Sequence, residues 1–176
     1  MLKRLPESQS VLQVYAVIAV MFSAWTIPAF LWKLPTWLLT LNLGEIFTVF
    51  SYAMFTNFME SLIVLLPLLA VCILLPPRIL RDHFALRGTI LSAGFIGFLM
   101  VLLKVYKQIG VAGYIKLFIP PVGVLLLTAL LLVFAPRIRF VRSAVLWLSD
   151  RLVIFLFILL PLYILLFVYV IARNIV

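Results

Sequence analysis

Apolar residues run along this chain in long blocks, broken by short clusters of charge. Five blocks reach or approach the roughly 20 residues that a helix needs to cross about 30 Å of hydrocarbon. They are 11–32, 46–75, 88–103, 117–135 and 152–172. The first carries Pro28 near its far end. The second is interrupted only by Glu60, and as one helix it measures roughly 45 Å, which calls for tilt or for turns outside the core. The third is the shortest, with Arg87 and Lys104 placed to snorkel toward the two interfaces. The fourth starts near Pro120-Pro121, where proline suits a first turn. The fifth is uncharged with one internal proline, Pro161. The pattern predicts an all-α fold: a polytopic integral membrane protein, a single membrane-embedded domain over residues 1–176 with a bundle of about five transmembrane helices.

The connections are too short to fold alone. The stretch Lys33–Gly44, with Trp32 and Trp37 beside Lys33, reads as a loop lying along the outer surface, because tryptophan favours the headgroup layer. The first block exceeds the 7–15 residues of a cleavable signal core, so it reads as an uncleaved helix. The Pro-Arg-Ile triplets that begin at Pro77 and Pro136 are 59 residues apart and raise a weak hairpin repeat, 45–103 over 104–162. Proline and arginine at the inner ends of helices also arise independently.

Composition sharpens this picture. Of 176 residues, 67% are apolar and 11% charged, which excludes a water-soluble domain. The net charge of +9 sits between the apolar blocks, so it speaks for anionic lipid headgroups and orientation and against nucleic acid. With five crossings, Lys3, Arg4, Arg78, Arg81, Arg87, Arg137, Arg139, Arg142 and Arg151 share one side. Lys33, Lys104, Lys107, Lys116 and Arg173 share the other. The positive-inside rule then puts the N-terminus in the cytoplasm and the C-terminus outside, in a plasma (inner) membrane. A single cysteine, Cys72, and a single histidine, His83, leave no disulfide, thiol pair or histidine-based metal centre within one chain, and no cofactor is expected.

Few residues offer chemistry. Glu60 is the one ionisable side chain deep inside a block, and Asn57 and Thr56 precede it by three and four positions, on one helical face. This trio is the candidate intramembrane polar site, for a proton, a cation or a neighbouring helix; Lys104 or Lys107 are the ion-pair alternatives. Arg78, Arg81, Arg87, Arg137, Arg139, Arg142 and Arg151 form the candidate cytoplasmic contact with lipid or partner. The basic, aromatic stretch Arg137–Arg151 reads either as an in-plane amphipathic helix or as an extension of the fifth span. Gly88, Ser92, Ala93 and Gly97 have small-xxx-small spacing and mark the third span as the central packing helix. No catalytic motif is present, so the chain is not expected to be an enzyme. The leading expectation is an accessory or interaction subunit that binds other membrane proteins or lipids. The alternatives are a small proton- or cation-coupled transporter or channel component using Glu60 and Asn57 and, further off, a lipid-modifying enzyme.

Overall fold

The computed structural model describes residues 6–74, 83–109 and 114–175, without the side chains at 107–109 and 114–118. Those residues form five helices and no strand: α1 (Ser8–Thr40), α2 (Leu43–Leu74), α3 (Phe84–Ile109), α4 (Tyr114–Phe134) and α5 (Arg139–Ile175). The fold is an all-α helical bundle. Helices α1, α2, α3 and α5 are each long and apolar enough to cross a membrane. The chain is a membrane protein on that ground.

Helix lengths differ from the hydropathy blocks in an instructive way. At 1.5 Å per residue, α1 and α5 measure roughly 50 and 55 Å, well beyond the hydrocarbon layer. α1 does not stop at Trp32. It continues through Pro28 and Pro35 to Thr40, so most of the predicted surface loop Lys33–Gly44 is helix. Proline is tolerated in such helices because other groups re-satisfy the freed carbonyls. The turn to α2 is only Leu41 and Asn42. The Leu41 N–H closes α1 on the Trp37 carbonyl at 2.7 Å. Asn42 then caps α2: its Oδ1 accepts from the Glu45 N–H at 2.9 Å, while Glu45 Oε2 accepts from the Asn42 N–H at 2.8 Å. This reciprocal box satisfies two donors at the start of α2.

The third block, shortest by hydropathy, is comfortably long as a helix, because α3 carries Arg87 and Lys104 inside its 26 residues. The shortest helix is instead the fourth, α4, with 21 residues. The stretch after Arg139 belongs to α5 without a break, and the Ser149 hydroxyl donates to the Leu146 carbonyl in mid-helix. The proposed hairpin repeat rests on Pro77, Arg78 and Ile79, which lie outside the described residues.

Packing places α1 against α2, α3 and α5, while α4 leans almost wholly on α3. α3 touches all four other helices. The most enclosed stretch is on α1, where Val14 to Ala19 are six consecutive buried residues. Around them lie Met54, Leu65, Phe84, Ile96, Leu156, Tyr163 and Leu166. A second cluster, Leu86, Ile90 and Ala135, ties the start of α3 to the end of α4 and the start of α5.

Among the described glycines the tightest approach is at Gly94. A Cβ there would meet Thr128 Oγ1 at 2.2 Å and Thr128 Cβ at 2.8 Å. Gly88 sits against Val14 with less crowding, and Gly97 has only an ordinary contact with Val124 at 3.7 Å. Gly94 falls outside both small-xxx-small pairs read from the sequence.

Candidate functional site

Three helices build a lateral cleft of about 590 Å³ at mid-height of the bundle. α2 presents Ala53, Thr56, Asn57, Glu60, Ile63 and Val64, a stripe at helical spacing. α1 provides the floor with Phe22, Trp25 and Thr26, and α3 the facing wall from Phe95 to Leu103. The cleft exists because α2 and α3 barely touch each other, while both lean on α1. Its rim is open: Trp25, Ile63, Phe95 and Leu103 are all exposed. In a bilayer this opening faces the acyl chains.

The predicted trio divides. Asn57 is buried, with 2% of its surface exposed. Its Oδ1 accepts from Thr26 Oγ1 at 2.8 Å, and its amide nitrogen approaches Met54 Sδ at 4.0 Å. Asn57 therefore joins α2 to α1. Thr56 faces the cleft, but its hydroxyl donates to the Tyr52 carbonyl at 2.9 Å. Glu60 is exposed on the cleft surface. Its carboxylate makes no hydrogen bond or ion pair with any described residue, Lys104 included. The Lys107 side chain lies outside the described residues. A charged group at this depth costs about 2.5–3.5 kcal/mol on insertion scales unless something answers it.

The interior behind the cleft holds polar groups that sequence reasoning passed over. Ser23 Oγ and Tyr163 OH lie 2.6 Å apart, joining α1 to α5. Ser61 Oγ donates to the Phe58 carbonyl at 2.7 Å and pairs with Tyr15 OH at 3.3 Å, where it can only accept, joining α2 to α1. Every one of these hydroxyls is paired, so they hold helices together. The available signal was spacing: Ser51, Asn57, Ser61 and Leu65 lie on one buried stripe of α2. At the far end of the bundle, Arg173 donates to the Thr48 hydroxyl, and Asn174 Nδ2 donates to Tyr52 OH at 2.8 Å.

The arginines are spread over one end. Arg137, Arg139, Arg142 and Arg151 are exposed. The Arg151 guanidinium lies over the Trp147 ring, 5.8 Å from its centroid. Arg87 is half-buried, and Arg78 and Arg81 lie outside the described residues. Phe140, Trp147 and Leu148 point away from the bundle and are exposed. Among the described residues, no three of His, Cys, Asp and Glu come together as a metal site. Compared with family models, with curated proteins and with solved structures, the chain matches none.

Proposed function

We propose that this protein is a membrane-embedded interaction subunit whose lateral cleft receives a transmembrane segment of a partner protein. The partner carries a basic or hydrogen-bond-donating side chain at the depth of Glu60. The observation that carries this reading is the unanswered Glu60 carboxylate on an apolar, laterally open cleft between α2 and α3. Charge complementarity in hydrocarbon is worth more than in water, because the acid has no solvent to fall back on. The apolar walls supply van der Waals contact, the main driving force for helix association in lipid. The exposed Arg137, Arg139 and Arg142 extend the contact to anionic headgroups. In this reading the arginine-rich end is cytoplasmic, the N-terminus is inside and the C-terminus is outside.

A carrier mechanism has less support. Asn57, its second polar group, is turned away toward Thr26, and the hydroxyls behind the cleft are paired with one another.

A photocrosslinking side chain at Ile63, on the cleft rim, tests the reading in native membranes. The expected result is one discrete adduct whose peptide comes from a transmembrane segment bearing Lys, Arg or an amide. That adduct disappears in Glu60→Gln and is missing when the crosslinker is placed at Leu126 on α4. No adduct from Ile63, or the same adduct with Glu60→Gln, overturns the proposal.

A further inference from the structure

At the arginine-rich end, a second and smaller cavity of about 230 Å³ joins the starts of α1 and α3 to the first turns of α5. Among the described residues its charged and polar lining is Glu7, Ser10, His83 and Arg142, and its apolar wall includes Phe84 and Leu146. This volume lies below the roughly 300–1,000 Å³ of sites for drug-sized ligands, and it suits one small polar group.

Depth identifies the kind of group. Glu7 and His83 lie four and five residues before the apolar blocks that open at Val11 and Gly88. For these two residues that is about 6–8 Å along a helix axis, just outside the hydrocarbon, while Arg142, ten residues before the block that opens at Leu152, stands about 15 Å out.

Charge narrows it further. Arg142 offers a fixed cation with a forked donor face suited to phosphate. The Glu7 side chain makes no cap bond to α1, so the first-turn N–H groups of that helix remain open to an anion. Glu7 itself repels a purely anionic group and attracts an ammonium. Glu7 forms no ion pair with Arg142 or His83, so the two signs are held apart within one cavity.

We infer that this pit binds a phosphoethanolamine group, with phosphate on Arg142, His83 and the α1 N-terminus, and ammonium on Glu7. Phosphatidylethanolamine in the surrounding leaflet and free phosphoethanolamine share this chemistry.

The full-length protein in phosphatidylcholine nanodiscs, doped with equal small amounts of phosphatidylethanolamine and phosphatidylglycerol, supplies the test. Retained lipid is read by native mass spectrometry. The wild type is expected to retain phosphatidylethanolamine over both other lipids. Glu7→Gln lowers that retention about tenfold, the factor for about 1.4 kcal/mol of lost charged hydrogen bonding, and raises retention of phosphatidylglycerol. Arg142→Gln lowers retention of both. Circular dichroism confirms that these variants of exposed residues are folded. Soluble phosphoethanolamine displaces the lipid if the free compound is the ligand, and fails to if the membrane lipid is. Wild type that retains the three lipids alike, or Glu7→Gln with unchanged selectivity, overturns the inference.

Discussion

Substituting Gly94 by alanine puts one methyl group of α3 directly against Thr128 of α4. The new carbon would lie 2.2 Å from Thr128 Oγ1, 2.4 Å from Thr128 Cγ2 and 2.8 Å from Thr128 Cβ. Carbon atoms rest comfortably at about 3.5–4.0 Å, so the helices must separate by roughly 1 Å. Rotating Thr128 does not relieve the clash, because its Cβ is fixed to the backbone and its hydroxyl is bound to the Val124 carbonyl at 2.7 Å. Overpacking of this kind costs about 1–3 kcal/mol. The cost falls on α4 in particular, which has α3 as its main support. Gly97→Ala is the matched control, because its Cβ would have an ordinary 3.7 Å contact with Val124. Reversible unfolding in mixed detergent micelles measures both. Gly94→Ala is expected to lose about 1–3 kcal/mol, and Gly97→Ala to stay within about 0.5 kcal/mol of wild type. Thr128→Gly, which removes all three clashing atoms, should restore most of the loss relative to Thr128→Gly alone. Equal costs at the two glycines, or no rescue, would refute the close approach as the cause.

Other expectations follow from single contacts. Asn57→Ala and Thr26→Val should show a coupling of about 0.6–1.7 kcal/mol in a double-mutant cycle of unfolding, the range for hydrogen bonds between membrane helices. Additive effects would disprove a shared bond. Thr89 Oγ1 is buried with no hydrogen-bond partner among the described residues, so Thr89→Val should be neutral or stabilising by up to about 1 kcal/mol, and a clear loss of stability would reveal a partner for the hydroxyl. Proteoliposomes of the wild type and of Glu60→Gln should show equal proton leak, since the cleft is a lateral docking surface; a faster, Glu60-dependent flux would favour a carrier. In a variant lacking Cys72, an impermeant maleimide applied from outside should label Thr40→Cys and Ile175→Cys directly, and Ser143→Cys only after permeabilisation. The reverse pattern would invert the proposed orientation.

Sequence alone was enough for the solvent and the repeating unit. Long uncharged blocks leave a backbone no partners in hydrocarbon except its own, so they must be helices, and their number and spacing follow. The position of Glu60 within its apolar block could be read by counting residues. The face each helix turns inward could not. Lipid is as apolar as a protein core, so an apolar helix carries little amphipathic stripe to mark its packed side. Asn57 and Glu60 illustrate the gap. Three residues apart on neighbouring parts of one face, they end in different surroundings: Asn57 is buried against Thr26, and Glu60 stands unanswered in the cleft. Sequence spacing favoured Gly97 over Gly94, and only the position of Thr128 on the facing helix reverses them. Helix ends were also beyond hydropathy, since Lys33, Pro35 and Arg139 lie in continuous helix despite their polarity or ring. Intrahelical hydrogen bonds persist past the edge of the hydrocarbon, whereas hydropathy registers only that edge. Partition into lipid is a sum over residues, and a sequence holds every element of that sum. The inner faces, the cleft and the polar pit depend on pairs of residues distant in the chain, and packing in three dimensions decided them.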